Sequence, residues 1–221
     1  MRLLNTLDEL LRGQGSFDPA RAAVPVRQLI HLCASFGFAY GVVMGCYAGR
    51  PAQALLSGIK VPLLLGVSTA LCLANFFVVN SLLGLRDDFE AALRAVLTAQ
   101  AGVAVTLAAF APITLFFYAS LPGTQDSYAT AVAANGVIFL FASLGGQLVL
   151  NRSYRALVIR NPRHRFGRAA WLGLYVFVAI QMAWTLRPFI GDPAKPVRFF
   201  REGAWGNAYV EVARLLAGLT R

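Results

Sequence analysis

The chain has 221 residues, of which 57% are hydrophobic and only 14% are charged. Soluble globular domains carry roughly 25% charged residues, so this composition excludes an ordinary water-soluble fold. The 20 Lys and Arg residues against 10 Asp and Glu give a formal net charge of +10, but no aromatic and basic nucleic-acid-binding module is legible. We therefore expect contact with a bilayer containing anionic lipids and no nucleic-acid partner.

Residues 1–27 are predicted to form a cytoplasmic amphipathic helix and a linker. Residues 2–12 place five leucines at helical spacing with the charged residues elsewhere around the wheel, as in helices that lie on a membrane surface. Residues 13–25 are rich in Gly, Pro and Ala. The start lacks the pattern of a cleaved signal peptide, so we expect the first span to act as an uncleaved anchor.

Five apolar stretches follow, each long enough to cross a bilayer. The second is expected to begin after Lys60 with Pro62 in its first turn, and a kink is expected near Pro112 in the third. The predicted fold class is all-α, a polytopic transmembrane helical bundle over residues 28–186 with an amphipathic helix at each end. The predicted spans are 28–47, 61–85, 93–119, 128–150 and 169–186.

Residues 187–221 are predicted to be an extracytoplasmic segment with an interfacial helix. Three prolines interrupt its first part, and an apolar face resumes at helical spacing from about residue 204. The alternative is a sixth span, which would bury Glu211 and Arg214 near the bilayer centre. Because positive charge accumulates in cytoplasmic loops, the arginine-rich stretch between the fourth and fifth spans predicts a cytoplasmic N-terminus, in what we expect to be a bacterial inner membrane.

Glycines recur every fourth residue in the first span. Four residues advance a helix by about 400°, so glycines at this spacing lie on one face and form a shallow groove. In membranes such a groove lets another helix approach closely. The partner is either the second or fourth span of the same chain or a copy of the same helix in another subunit. The residues of this predicted packing or oligomer interface are Gly37, Gly41, Gly45 and Gly49.

The predicted spans hold no acidic or basic residue beyond their first turns. Intramembrane enzymes and proton-coupled transporters normally place ionisable groups at depth, so we expect no catalysis, no metal and no cofactor. His31, one turn into the first span, is interpreted as snorkelling or hydrogen-bonded, and His164 as solvated. The neutral amides in the spans serve either interhelical hydrogen bonds or a polar pathway. These pathway candidates are Asn75, Asn80, Gln100, Asn135, Gln147 and Gln181.

Two groups of basic residues flank the spans. The outer group either clamps the C-terminal segment over the spans through salt bridges or forms a cationic vestibule for anions; it comprises Arg50, Lys60, Arg187, Lys195, Arg198 and Arg201. The inner group either signals topology or binds anionic lipid or a partner; it comprises Arg152, Arg155, Arg160, Arg163, Arg165 and Arg168. The acidic residues Asp87, Asp88 and Glu90 suit the start of a helix and are also candidates to pair with the inner group.

The order of these features resembles the Yip1-type five-span membrane proteins and their bacterial relatives. The residues that carry the resemblance are SGIKVPLLLG at 57–66, LLGLRDDFEAALRAV at 82–96 and APIT at 111–114. The acidic and glycine-proline signature that eukaryotic members carry before their spans is not evident here. The resemblance implies a non-enzymatic membrane protein that works through protein or lipid contacts.

Two functions follow as predictions. The first is a homo-oligomeric channel or transport-related protein, supported by the glycine groove, the neutral amides and the outer basic group. The second is a Yip1-like scaffold or lipid-organising subunit of a larger membrane complex, supported by the inner basic group and the amphipathic ends.

Overall fold

The computed structural model describes residues 2–14, 17 and 26–216. Five helical stretches are long and apolar enough to cross a membrane, with α4 and α5 together forming the third. The protein is therefore an all-helical, polytopic membrane protein with five candidate spans, as the composition predicts. Its α-helices are α1 (Arg2–Arg12), α2 (Val26–Gly45), α3 (Pro51–Leu82), α4 (Phe89–Ala109), α5 (Ala111–Ala119), α6 (Gln125–Arg160), α7 (His164–Leu186) and α8 (Ala208–Leu216).

Several helices extend beyond the predicted apolar boundaries. The helix of the second span, α3, begins at Pro51 instead of residue 61, so Pro62 lies in its interior. The predicted arginine-rich loop at 151–168 is almost entirely helical, because α6 continues to Arg160 and α7 begins at His164. Apolar length measures the hydrocarbon layer, whereas the hydrogen bonds of a helix continue into the interfacial region, so charge marks the edge of the membrane and not the end of the helix.

The expected irregularities and termini fit the structure where it describes them. The third span breaks at Phe110, two residues before Pro112. The predicted N-terminal helix is present as α1, whereas most of the predicted linker lies outside the described residues. Helix α8 has nine residues, far fewer than the roughly 20 needed to span a bilayer, and residues 217–221 lie outside the described part of the chain.

The five spanning stretches form an arc. Helix α2 packs closely against both α3 and α4, α7 packs on α3, and α6 packs on α4, whereas α6 and α7 make few contacts with each other. We call the end where residues 161–163 join α6 to α7 the hairpin end. The opposite end is covered by residues 187–201, which we call the clamp segment, and is named the clamp end.

Close backbone contact explains the tight α2–α3 pair. A Cβ atom built on Gly41 would collide with the Ser57 carbonyl oxygen and lie 2.8 Å from the Gly58 Cα, and one on Gly45 would lie 2.6 Å from the Ala54 Cα. Since a side chain at either position would meet main-chain atoms, which have little room to move, only glycine permits this separation. Inside a bilayer the hydrophobic effect does not favour contact between helices over contact with lipid, so close packing of this kind is what holds membrane helices together.

Candidate functional site

One face of α3 holds the clamp segment by hydrogen bonds to its backbone. Arg50, at the N-cap, and Gln53, Ser57 and Lys60 are spaced at three or four residues, which places them on one face of the helix. Each donates to a carbonyl oxygen: Arg50 Nη2 to Lys195 at 2.7 Å, Gln53 Nε2 to Pro188 at 3.1 Å, Ser57 Oγ to Phe189, and Lys60 Nζ to Pro188 at 2.7 Å. We call these four residues the donor face.

Lys60 differs most from its predicted position. The sequence predicts that Lys60 lies just before the second span. In the structure it lies in the interior of α3, and its side chain is fully buried. Its ammonium lies 5.0 Å from the centre of the Phe199 ring, in addition to its bond to Pro188. A buried charge is tolerated where polar groups replace its water, and here the clamp segment supplies them from residues that are about 130 positions away along the chain.

The predicted outer basic group does assemble at the clamp end. Lys195 pairs with Asp192 at 3.0 Å, and Arg198 pairs with Glu202 at 2.6 Å. Burial disfavours the charged form of Asp192, but hydrogen bonds from Lys195 and from the Ala194 N–H outweigh it and lower the Asp192 pKa below the ordinary carboxyl value. Both salt bridges lie within the C-terminal segment itself, so the bonds that hold this segment to α3 are the hydrogen bonds of the donor face and not these ion pairs.

A cleft with two adjoining compartments lies beside the clamp segment. The polar compartment, of about 370 Å³, is lined by Gln53, Asp192, Lys195, Arg198, Arg201 and Glu202 among others. The apolar compartment, of about 330 Å³, lies between α6 and α7 and is lined largely by Met44, Leu64, Val132, Phe139, Ala183 and Phe189. Tyr128, Pro188 and Arg201 contribute to both. Clefts of this size are at the lower end of the range for small-molecule sites.

Two cations stand at the rim of the apolar compartment. The guanidinium carbon of Arg187 lies 3.1 Å from the centre of the Trp184 ring, and the backbone N–H of Arg201 donates to the Arg187 carbonyl at 3.2 Å. Burial and then the field of Arg201 lower the Arg187 pKa, which Glu211 partly opposes. Two like charges that repel each other thus line the same apolar compartment.

The predicted pathway amides do not meet one another. Asn135 accepts from Tyr40 at 2.9 Å and donates to Tyr118 at 2.6 Å, which ties α6 to α2 and α5. Gln100 of α4 accepts from Tyr175 of α7 at 3.0 Å. Gln181 accepts from the Ala208 N–H, at the start of α8, at 3.0 Å. These bonds join different helices at different depths, as the packing interpretation predicts.

The remaining three amides are also separate from each other. Asn80 is buried near the hairpin end and donates to the Phe76 carbonyl of its own helix. Asn75 is exposed on α3, and Gln147 is partly exposed on α6. Their positions define no shared passage across the bundle.

The predicted glycine interface splits into two parts. Gly41 and Gly45 pack against the α3 backbone as described, and a Cβ on Gly37 would lie 3.5 Å from the Pro62 Cα. Gly49 is not part of this face, because it follows the helix in a turn with φ of +66° and nothing lies within 4 Å of its Cβ position. The helical part of the groove is occupied by the second span of the same chain.

The described contacts divide the inner basic group at the hairpin end into two sets of three arginines. Arg152 donates to the Leu11 carbonyl at 2.8 Å, Arg163 to the Leu83 carbonyl at 3.4 Å, and Arg160 pairs with Asp88. The other three border a surface groove of about 510 Å³ between α6 and α7, whose lining consists of Asn151, Arg155, Val158, Ile159, Arg165 and Arg168.

His164 is not solvated as the sequence predicts. Its side chain is fully buried and its Nε2 lies 2.9 Å from a carboxylate oxygen of Asp88, which also pairs with Arg160. The pairing proposed between the acidic group before the third span and the arginine-rich stretch is thus present for Asp88. The burial of His164 had no local signal, because its partner is 76 residues earlier in the chain.

Comparison with known proteins adds no further identification. No protein-family model matches the chain, and neither the curated proteins nor the solved structures contain a match. The resemblance to Yip1-type proteins stays a prediction from the residues that carry it.

Proposed function

We propose that this protein is a non-enzymatic, lipid-organising membrane protein that gathers anionic lipids at its hairpin end. The observation that carries the proposal is the groove bordered by Arg155, Arg165 and Arg168. In the part of the chain that the structure describes, none of the three pairs with a carboxylate, whereas Arg152, Arg160 and Arg163 are bonded within the fold. Their charges are therefore available to a partner outside the chain.

The expected attraction is large enough to enrich lipid. Each basic residue beside an anionic membrane surface contributes about 1 kcal/mol, so three favour an anionic over a zwitterionic head group by about two orders of magnitude. Phe166 and Ile159, which are 68% and 74% exposed at the same end, add apolar contact with the acyl chains below. A basic groove beside exposed apolar side chains suits a phospholipid head group.

The buried side chains of Lys60 and His164 make structural contacts. Lys60 is engaged by the Pro188 carbonyl and His164 by Asp88. Through these bonds both side chains hold separate segments of the chain together. A lipid-organising function agrees with the predicted Yip1-like scaffold, which would act in a larger membrane complex.

The predicted homo-oligomeric channel receives less support. The helical glycines already contact α3, and the amides bond in separate places, so neither feature supplies a subunit contact or a passage. Measurement of solute flux across vesicles that contain the wild-type protein tests the channel hypothesis, and flux above that of protein-free vesicles would support it.

The test compares lipid selectivity of the wild type with that of an Arg155→Gln, Arg165→Gln, Arg168→Gln triple variant. Electron spin resonance of spin-labelled phosphatidylglycerol and phosphatidylcholine in reconstituted membranes measures the fraction of each lipid that is immobilised by the protein. We expect a phosphatidylglycerol preference in the wild type that falls in high salt and is clearly reduced in the triple variant. Arg198→Gln, which removes an exposed arginine at the clamp end, is the matched control and should retain the preference. Equal selectivity in wild type and triple variant would refute the proposal.

A further inference from the structure

The two-compartment cleft at the clamp end complements an amphiphile, because it joins an apolar compartment to charged side chains. Its apolar compartment is walled by side chains of α2, α3, α6 and α7, and Arg187 and Arg201 stand at its rim. None of the described residues that line this compartment is acidic. A cationic rim over an apolar chamber matches a molecule with an anionic head and a hydrocarbon tail.

The apolar compartment opens sideways toward the region where lipid chains lie. Helices α6 and α7 make few contacts, and Val132, which lines the compartment, is 44% exposed. Gly136 also lines it, and no atom lies within 4 Å of the position of its Cβ. An acyl chain would thus enter between the two helices without passing through water.

The two cations at the rim, Arg187 and Arg201, favour an anion between them. The Arg187 guanidinium lies over the Trp184 ring, and its Nε is buried and has no hydrogen-bond partner among the described residues. The backbone of Arg201 is bonded to that of Arg187. In contrast, Lys195 and Arg198 in the adjoining compartment are already paired with Asp192 and Glu202. An anion between Arg187 and Arg201 would offset the burial of the Arg187 charge and its repulsion by Arg201, which in that order lower the Arg187 pKa.

We infer that this cleft is a binding site for one anionic phospholipid of the surrounding leaflet, with its phosphate between Arg187 and Arg201 and an acyl chain between α6 and α7. The site is at the opposite end from the hairpin groove and does not depend on the function proposed for that groove. Free inorganic phosphate offers the same charged group as a lipid phosphate. It has no apolar part to fill the chamber beneath the rim, however, so we assign the site to the lipid.

Trp184 provides a local reporter, because it lies directly beneath Arg187. A Trp205→Phe variant removes the most exposed indole and leaves Trp184 together with Trp171, which is buried near the hairpin end. Full-length protein in phosphatidylcholine nanodiscs is titrated with phosphatidylglycerol or phosphatidylcholine that carries dibrominated chains, which quench nearby indoles. Adding Trp184→Phe identifies the part of the signal that comes from Trp184.

We expect the brominated phosphatidylglycerol to quench Trp184 at a lower mole fraction than the brominated phosphatidylcholine, by about fivefold for each arginine that contacts the phosphate. Arg201→Gln should lose about that factor, and Arg187→Gln with Arg201→Gln should remove the preference. The hairpin pair Arg165→Gln with Arg168→Gln is the control and should leave Trp184 quenching unchanged. Equal quenching by the two lipids in the wild type would overturn the inference.

Two further arms test the chain and the source of the phosphate. Gly136→Leu should fill the apolar compartment and lower Trp184 quenching severalfold, whereas Gly173→Leu, on an exposed part of α7 with nothing within 4 Å of its Cβ position, should not. Unchanged quenching in Gly136→Leu would refute the seating of the chain. Inorganic phosphate at millimolar concentration should not displace the brominated phosphatidylglycerol; displacement would show a site for a free anion and contradict the lipid assignment.

Discussion

Helices α2 and α3 are consecutive and joined by a short turn, and so are α6 and α7, yet the two pairs differ. The first pair packs closely, with Gly41 and Gly45 against the α3 backbone. The second pair makes few contacts, and an apolar cleft lies between its helices. In a bilayer, lipid chains are as apolar as leucine side chains, so large apolar residues give two helices no reason to prefer each other over lipid. Small residues at matching positions, and not a short connection, decide which helices pack.

The most disruptive change should be Gly41→Ala, which converts the tight pair toward the loose one. The added methyl group would meet the Ser57 carbonyl and the Gly58 Cα, and overpacking against backbone should cost about 3 kcal/mol, the upper part of the usual range. Thermal unfolding in detergent micelles measures the loss. Gly173→Ala adds the same group where nothing is in contact and should unfold like the wild type. If Gly41→Ala instead released folded monomers from an oligomer, the glycine face would have to serve contact between subunits.

Lys60→Met should have the next largest effect, confined to the clamp segment. The change keeps the volume of the buried side chain but removes the donor to Pro188, and it should weaken the attachment by about 1.5 kcal/mol, the lower end for hydrogen bonds to charged groups. Hydrogen exchange followed by mass spectrometry should show faster exchange in residues 187–201 and unchanged exchange across α2. Uniformly faster exchange throughout the bundle would instead place Lys60 in the global core.

Asn135→Leu should loosen the attachment of α6 to α2 by a smaller amount. It removes the bonds to Tyr40 and Tyr118, and interhelical hydrogen bonds in membranes contribute about 0.6 kcal/mol on average and up to roughly 1.7. The unfolding temperature should fall by no more than in the Tyr40→Phe, Tyr118→Phe double variant, because that variant also removes the bond from Tyr118 to the Met44 carbonyl. A much larger loss than in the double variant would show that Asn135 contributes more than its bonds to the two tyrosines, for example through its bond to the Ala131 carbonyl of its own helix.

Acid should have the smallest effect. Because the folded-state pKa of Asp192 is lowered, its contribution to stability is present above the ordinary carboxyl value of about 4 and is lost as pH falls through the lower folded value. Trp184 fluorescence, followed from pH 7 to pH 3, should report loosening of the clamp segment only below about pH 4. Asp192→Asn should shift that emission at neutral pH toward its acid value and flatten the transition; an identical transition in both proteins would assign it to another group.

The spans and their number follow from the sequence because long apolar stretches admit few alternatives in a membrane. The sequence predicts the clamp only as one of two interpretations of the outer basic group, the other being a cationic vestibule for anions. In the sequence Lys60 is interpreted as a membrane boundary, because no residue near it indicates that its side chain will bond the distant Pro188 carbonyl. A signal existed in the polar residues Arg50, Gln53 and Ser57, which continue the helical spacing of Lys60 in the N-terminal direction. His164 had no such signal, and its burial depends on the tertiary contact with Asp88.

The donor face has a practical consequence because it recognises main-chain oxygens. Every residue type carries a carbonyl, so the face dictates the course of the polypeptide while leaving side-chain identity largely unconstrained wherever a side chain points outward. Ala194 and Pro196 are exposed in this segment, and their side chains play no part in the donor-face bonds. An affinity tag or antibody epitope inserted directly after Pro196, beyond the carbonyl of Lys195 that Arg50 holds, would be carried on an anchored loop. It would offer a rigid handle for imaging a protein that otherwise exposes little outside the bilayer.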